Sequence, residues 1–181
     1  SDGSATTVDE ATVNVSNVDP TATLSAPANA FAGFPFTLSL TGASDPSAAD
    51  TAAGFQYAFD CGNGYGAFGT SSTATCTPTG TGALGVGGKI RDKDGGVNEY
   101  RATVTVTVTF ASLCDLVHEY TSDAKTQGKL CMYLELAAEA QKEAAKQAQL
   151  RNFRSEVDKA LADGHLSAAE AETLKRLSTR L

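Results

Sequence analysis

The spacing of apolar residues changes character once along this chain, between Phe110 and Ser112. Before the change, four apolar side chains alternate with threonines from Val104 to Phe110, as in a strand with one buried face. After it, apolar residues recur at the three- and four-residue intervals of a helix. These helical positions are Leu113, Leu116, Val117 and Tyr120. The chain therefore predicts two domains, the first all-β and the second all-α.

Composition divides the chain at the same place. Residues 1–110 hold all five prolines and 15 of the 17 glycines, whereas residues 111–181 hold ten of the 14 lysines and arginines. Turns between short strands favour glycine and proline, and helices favour alanine, leucine, glutamate and lysine. The first part carries ten acids and four bases, a net charge of −6, against eleven acids and ten bases, −1, in the second.

An internal repeat sets the boundaries within the first part. The sequence Ala-Thr-Val-Asn-Val at 11–15 returns as Ala-Thr-Val-Thr-Val at 102–106, 91 positions later. A period near 90 residues is typical of a small β-sandwich module. We therefore predict that 1–18 is the last strand of a preceding repeat, that 19–110 is one complete module, and that 111–181 is the helical domain. Neighbouring repeats of a longer chain are the first expected partners.

Six or seven short strands separated by turn signals predict an immunoglobulin-like antiparallel β-sandwich. The helical domain predicts a bundle of three or four helices, with Ser112 capping the first and Ser167 opening the last through Glu170. No glycine or proline lies between Lys129 and Asp163, so this stretch forms either one helix or two. A break is expected where only alanines are apolar, around 141–149.

Four cysteines allow three pairings. The domain division favours Cys61 with Cys76 in the sandwich and Cys114 with Cys131 in the helices, and four free thiols are the alternative. Each predicted bond closes a loop of about 15 residues, which stabilises by about 3 kcal/mol in the chain-entropy model. One local bond in each domain predicts an oxidising, extracellular location.

Two short segments of the sandwich carry a resemblance to a known family. Residues 59–64 read Phe-Asp-Cys-Gly-Asn-Gly, and residues 91–96 read Arg-Asp-Lys-Asp-Gly-Gly. In these segments the module resembles the PKD-like, immunoglobulin-like repeats of bacterial surface and secreted proteins. The resemblance implies an extracellular role in adhesion, in spacing or in contact with polysaccharides, without catalysis.

The helical domain is similar to the FIMAH-like domain that ends many such bacterial proteins. The similarity lies in Leu-Arg-Asn-Phe-Arg-Ser-Glu-Val at 150–157 and Gly-His-Leu-Ser-Ala-Ala-Glu-Ala at 164–171. It implies no catalytic function either.

Acidic residues gather at one end of the predicted sandwich. The start of the first strand, the second loop and the last hairpin turn of such a fold lie together. Carboxylate oxygens at a joint between repeats suit calcium, whereas ordinary Asp-Gly turn chemistry is the alternative. The candidate calcium ligands are Asp19, Asp45, Asp50, Asp92 and Asp94. No cofactor is otherwise required.

A second candidate site is the glycine-rich stretch 62–69 with its two aromatic residues. Tyr65 and Phe68 either stack on a carbohydrate or a surface protein, or fold back into the core. His118 and His165 have no serine or cysteine with acid support nearby in sequence, so no catalytic residue is assigned. An acidic β-domain repels nucleic acid and anionic membranes. The sequence therefore predicts a non-catalytic extracellular spacer, with an adhesion module that binds carbohydrate or protein as the alternative.

Overall fold

The computed structural model describes residues 16–181, in which the strands come before the long helices. The predicted repeat copy at 11–15 lies outside the described residues, and residues 16–20 form no strand. The strands are β1 (Thr21–Ser25), β2 (Asn29–Phe31), β3 (Phe36–Ser44), β4 (Gln56–Asp60), β5 (Thr73–Cys76), β6 (Gly82–Arg91) and β7 (Val97–Thr107). The helices are α1 (Ala48–Ala53), α2 (Phe110–Tyr120), α3 (Ala124–Ala138), α4 (Glu143–Ala162) and α5 (Ala168–Ser178).

The seven strands form two sheets, with orders β1-β3-β5 and β2-β7-β6-β4. All neighbouring strands are antiparallel except β2 and β7, which run parallel. The first two strands thus belong to different sheets, and the second of them lies beside the last strand. This is an immunoglobulin-like arrangement.

The alternating residues of the strands meet between the two sheets. A Cβ atom at Gly88 would lie 3.1 Å from the side chains of Leu24 and Leu40 on the opposite sheet. Glycine at this position therefore allows the sheets to approach closely. The buried side chains of this core include Leu38, Leu40, Val86, Ile90, Val104 and Val106.

Four helices pack in sequence, and α2 also contacts α5, which closes the group around one core. The expected stripes of apolar residues supply this core, because residues three and four apart share one face of a helix. Its fully buried side chains include Leu113, Leu116, Val117, Leu130, Leu134, Leu150, Phe153, Val157 and Leu174. The short helix α1 belongs instead to the loop between β3 and β4.

Helix boundaries follow local capping. Thr109 caps α2 and Ser112 is the third helical residue, so the prediction that Ser112 is the cap was wrong. The side chains of these two residues bond reciprocally to each other's backbone N–H groups. The stretch 129–163 is two helices, because residues 139–142 interrupt it. Ser167 and Glu170 form the predicted capping box of α5.

The sandwich and the helices share one continuous hydrophobic core. Only residues 108–109 connect β7 to α2. A Cβ atom at Gly33 would lie 2.8 Å from the Leu116 side chain, so glycine allows α2 to rest against the sandwich. Arg176 of α5 donates to the carbonyl of Thr79. No helix within residues 16–181 is both long and apolar enough to cross a membrane.

Candidate functional site

The acidic residues lie at the end of the sandwich formed by residues 16–20, 44–54 and 92–96, which we call the acidic pole. At its centre, Asp92 Oδ1 accepts hydrogen bonds from the backbone N–H groups of Asp94, at 2.9 Å, and Gly96, at 2.8 Å. Its Oδ2 accepts from Asn17 Nδ2 at 2.9 Å. Burial alone would raise the pKa of Asp92, but the bonds from Asn17 and Gly96 hold it below its usual value. Asp92 therefore organises the turn as an ionised acceptor.

Two further carboxylates of the acidic pole, those of Asp50 and Asp94, are neutralised by one lysine. Lys93 Nζ lies 2.7 Å from Asp50 Oδ1 and also contacts Asp94 Oδ2. Asp50 is only 2% exposed, and its hydrogen bond from Lys93 lowers its pKa. An ammonium group thus already occupies the space between these two carboxylates.

The remaining two aspartates have structural partners of their own. Asp45 Oδ1 accepts from the backbone N–H of Ser47 at 2.7 Å, and Asp19 Oδ1 accepts from that of Val97 at 3.1 Å. All five predicted aspartates therefore share one end of the sandwich. No three of them bring ligand atoms within 4.8 Å of one another in the described chain. The sequence predicts calcium at the pole, and the position of the Lys93 ammonium group argues against it.

The glycine-rich loop lies along the free edge of β4. Tyr57 and Gly69 exchange backbone hydrogen bonds of 2.7 and 2.8 Å, and Gly66 N–H donates to the carbonyl of Phe59 at 3.1 Å. Asp60 Oδ1 accepts from the N–H groups of Gly62 and Gly64, both at 2.8 Å. The Cys61–Cys76 disulfide fixes the start of the loop. The loop is therefore held as an extra edge segment of the sheet.

The two aromatic rings of the loop lie over the outside of the sheet, where cations cover them. Lys89 Nζ lies 4.3 Å from the centre of the Tyr65 ring, and the Arg101 guanidinium lies 5.5 Å from it. The Arg91 guanidinium lies 4.2 Å from the centre of the Phe68 ring. Cation–π attraction of this kind is worth about 0.5–1 kcal/mol at exposed sites. We call the surface formed by these five side chains and Glu99 the outer face.

Glycine at one position of β6 lets the Tyr65 ring lie flat. A Cβ atom at Gly87 would collide with the Tyr65 hydroxyl and would lie 2.9 Å from Cζ of that ring. The hydroxyl is buried and has no hydrogen-bond partner among the described residues. Desolvation consequently raises the pKa of Tyr65.

Of the two alternatives that the sequence offered for these rings, folding back into the core was wrong, and binding of a carbohydrate or a surface protein stays a prediction. Both rings are half-buried, but they pack outside the sandwich and not within its core. The cations that cover these rings were not among the residues predicted from the sequence. Lys89 and Arg91 flank the buried Ile90 on β6, so their alternation already placed both on the outward side. Arg101 joins them because its partner across the ladder is Gly87.

The helical half contains a disulfide bond beside a histidine. Cys114 of α2 is bonded to Cys131 of α3, with the Cα atoms 5.1 Å apart. The ligand atoms of His118 and the two cysteines lie within 4.8 Å of one another. Metal ligation requires thiolates, so the disulfide withholds both sulfur atoms from a metal ion. The Cys114–Cys131 disulfide therefore joins α2 covalently to α3.

The second histidine lies on the surface at the far end of the same helices. His165 lines a shallow depression with Ser122 and Asp123, a set of residue types that recurs in hydrolases. The Asp123 carboxylate accepts the N–H of Thr126 at 2.8 Å, as the cap of α3. No hydrogen bond joins it to His165 in the described chain. A nucleophile–base–acid relay is therefore not formed here.

Solved structures similar to this chain include PKD domains, a fibronectin(III)-like module and carbohydrate-binding modules. The PKD1 domain of Vibrio anguillarum Epp is 22% identical over 51% of this chain and 99% of its own, with a TM-score of 0.37. The PKD1 domain of the Vibrio cholerae metalloprotease PrtV is 21% identical over 50% of this chain and 100% of its own, with a TM-score of 0.36. A fibronectin(III)-like module structure of Clostridium thermocellum CbhA is 18% identical over 49% of this chain, with a TM-score of 0.41.

A structure of carbohydrate-binding modules of the β-sandwich superfamily is 22% identical over 51% of this chain, with a TM-score of 0.44. The match spans 36% of that structure's chain, and the CbhA match spans 47%. No protein-family model matches the chain, and no curated protein matches it.

Proposed function

We propose that this chain is a non-catalytic extracellular spacer, in which a PKD-type sandwich carries a FIMAH-like helical domain at a fixed distance. The observation that carries this proposal is the path of the chain through the sandwich. The chain enters at the acidic pole, where Asn98 Nδ2 bonds to the carbonyl of Pro20 at 2.9 Å. It leaves at the opposite end of β7, which has 11 residues and therefore spans roughly 36 Å.

The pairing of β2 with β7 suits a module under tension. The two strands are parallel, with Asn29 opposite Thr105 and Phe31 opposite Thr107. The pair is extended by a bond from Ala32 N–H to the carbonyl of Thr107, at 3.0 Å. Tension reaches the beginning of β2 only after β1, which is paired with β3, and it reaches the end of β7 directly. These two points lie at opposite ends of the parallel pair. The bonds are then sheared together, because none can open before the others.

The joint to the helices supports a fixed distance as well. Residues 108–109 are too short for a flexible linker, and Gly33 lies against Leu116 across the joint. The shared hydrophobic core leaves little room for the two halves to turn independently.

Both halves carry the bonds expected outside the cell. The Cys61–Cys76 and Cys114–Cys131 bonds account for all four cysteines of the chain, and each lies within one half. Disulfides persist in oxidising compartments, which supports an extracellular location. They also restrict how far the chain can extend after partial unfolding, since they join cysteines that are 15 and 17 positions apart.

Pulling on single molecules by their ends tests the proposal. We expect the helical half to unfold first at low force and the sandwich to unfold later at clearly higher force. The variant Ala32→Pro, which removes a β2–β7 hydrogen bond, should lower the force for the sandwich. A wild-type sandwich that opens at the same force as the helices, or before them, would contradict a spacer that carries tension.

A recognition module is the second candidate function, and the outer face is the observation that favours it. Tyr65 and Phe68 are held in fixed positions by the edge loop and the cations, on a surface that faces away from the core. Preorganised rings on a flat sheet are suited to binding polysaccharide. Loss of polysaccharide binding in Phe68→Ala, without loss of folding, would distinguish recognition from spacing alone.

A further inference from the structure

Charge is separated within the sandwich. Of the seven acidic residues between positions 16 and 109, five lie at the acidic pole, namely Asp19, Asp45, Asp50, Asp92 and Asp94. Of its four basic residues, Lys93 is at the pole and the other three are on the outer face. The other two acids, Asp60 and Glu99, both contact Arg101, so three bases meet two acids on the outer face of a domain with a net negative charge. Such a surface attracts anions locally, because other charges beyond about 10 Å are screened at physiological salt.

Two of the three cations have charge to offer to a ligand. Arg91 bonds to the neutral amide of Gln56 and pairs with no carboxylate within the described chain. The Arg101 side chain is 63% exposed, although its Nε lies 2.6 Å from Glu99 Oε1 and its Nη1 lies 3.8 Å from Asp60 Oδ2. Lys89 is paired with Glu99 at 3.1 Å and is more covered. Guanidinium groups bind carboxylate and sulfate through paired N–H donors, so these two arginines are the expected anion contacts.

The rest of the surface is flat and polar. Beyond Tyr65, the outward positions are occupied by Gly85 on β6 and by Thr103 and Thr105 on β7, all of them exposed. A Cβ atom at Gly85 would meet no atom within 4 Å, so space above the sheet is open there. A single large exposed aliphatic residue, Val97, lies at the margin near Arg91. Protein partners usually require an apolar centre, whereas a hydrated chain of sugars uses hydroxyls, rings and charges.

We propose that the outer face binds an anionic polysaccharide, with Arg91 and Arg101 contacting its carboxylate or sulfate groups and with Tyr65 and Phe68 holding these arginines in place. The inference rests on the recognition function proposed for this face and does not depend on the spacer function, because Arg91 and Arg101 lie outside residues 105–107 of β7, which pair with β2. A sandwich that resists force but binds no polysaccharide would support the spacer function alone. One that binds polysaccharide but opens at low force would support binding alone.

The test is calorimetric titration of the oxidised full chain with four soluble polymers. Dextran sulfate and polygalacturonate provide sulfate and carboxylate groups, unmodified dextran is the neutral match, and poly-glutamate is an acidic polypeptide. We expect saturable binding to one or both anionic polysaccharides that weakens as salt is raised, and none to dextran.

Variants locate the site. Arg91→Gln with Arg101→Gln should weaken binding about tenfold or more, since bonds to charged groups are lost. The matched control, Lys125→Gln with Arg151→Gln, removes two exposed charges from the helices and should change affinity less than about twofold. Glu99→Gln should tighten binding, because it frees Lys89 and leaves Arg101 with Asp60, at 3.8 Å, as its remaining carboxylate.

Four results would overturn the proposal. They are no binding to either anionic polysaccharide, equal binding of dextran, equal weakening by the control pair, and tighter binding of poly-glutamate. The last result would assign the face to an acidic protein segment instead. Circular dichroism of each variant shows whether it is folded, and Glu99→Gln provides a gain of affinity that misfolding cannot imitate.

Discussion

Gly85 and Gly87 of β6 both pair with β7 and both face outward, and Gly87 pairs in addition with Asp60 of β4. Only Gly87 lies under the Tyr65 ring. Gly87→Ala places a methyl group against that ring and against the carbonyl of Tyr100 at 3.1 Å. We expect it to destabilise the sandwich by about 1–3 kcal/mol, as overpacking does. Urea unfolding followed by circular dichroism measures the change in free energy.

Gly85→Ala is the matched control, because its added methyl group meets nothing within 4 Å. It should be neutral or slightly stabilising, since alanine restricts the unfolded chain more than glycine does. Equal destabilisation by both substitutions would show that the Tyr65 ring does not lie over Gly87.

The position of Lys93 predicts how the protein responds to calcium. Because its ammonium group lies between Asp50 and Asp94, we expect millimolar calcium to leave the Tm of the wild-type protein unchanged. Lys93→Gln should lower the Tm, because it leaves the buried Asp50 without its cation. Calcium should then restore part of the loss in this variant.

Thermal unfolding with EDTA and with calcium checks both parts. The matched control is Lys142→Gln, which removes an exposed lysine from the segment between α3 and α4. A rise in the Tm of the wild-type protein on adding calcium would instead establish a calcium site at the acidic pole.

At the scale of elements, a single buried carboxylate joins α3 to α4. Glu156 is 7% exposed and accepts from Lys129 at 2.9 Å and from Lys159 at 3.1 Å. The bond from Lys129 lowers its pKa from the usual 4.5. A carboxyl group with a lowered pKa stabilises the folded state above about pH 4.5, and this contribution is lost as pH falls through the folded pKa.

The helical signal in circular dichroism measures this contribution during thermal unfolding. At pH 6, Glu156→Gln should have a lower Tm than the wild type, and the difference should shrink at pH 3. Glu119→Gln, which changes an exposed glutamate on α2, should show little difference at either pH. A difference for Glu156→Gln that does not depend on pH would mean that the ion pairs contribute nothing.

Strong periodicity made the long elements predictable. Val104 and Val106 alternate and are buried, and Leu113 and Leu116 begin the helical face as expected. The short elements were not predictable. Strand β2 has three residues and no alternation, and its move to the second sheet depends on pairing with the distant β7. The strand pattern also continued through Phe110, but capping by Thr109 makes this residue helical.

The candidate sites show the same division between local and distant information. The acidic pole was predictable, because hairpin turns and loops of a sandwich share an end. The outer face was not, because the cations come from β6 and β7 and meet only through the register that pairs Gly87 with Arg101. The alternation within one strand predicts which side chains point outward. It does not predict which strand lies beside it or in which register the two strands pair.

At the level of the whole molecule, a fixed distance between the acidic pole and the helices depends on the joint between the two halves. Leu116 of α2 lies against Gly33, and Arg176 of α5 bonds to Thr79 of the sandwich. If these contacts fix the helices, then the sandwich holds them about one strand length from the acidic pole. If they do not, the helices swing about residues 108–109, and the sandwich sets no fixed distance.

Nuclear magnetic resonance relaxation of backbone amides tests this claim most directly. Amides in β3, β6 and β7 and amides in α2 to α5 should report one common rotational diffusion tensor, because both halves tumble as one body. Two distinct correlation times, with faster tumbling of the helices than a molecule of 181 residues allows, would contradict the rigid spacer.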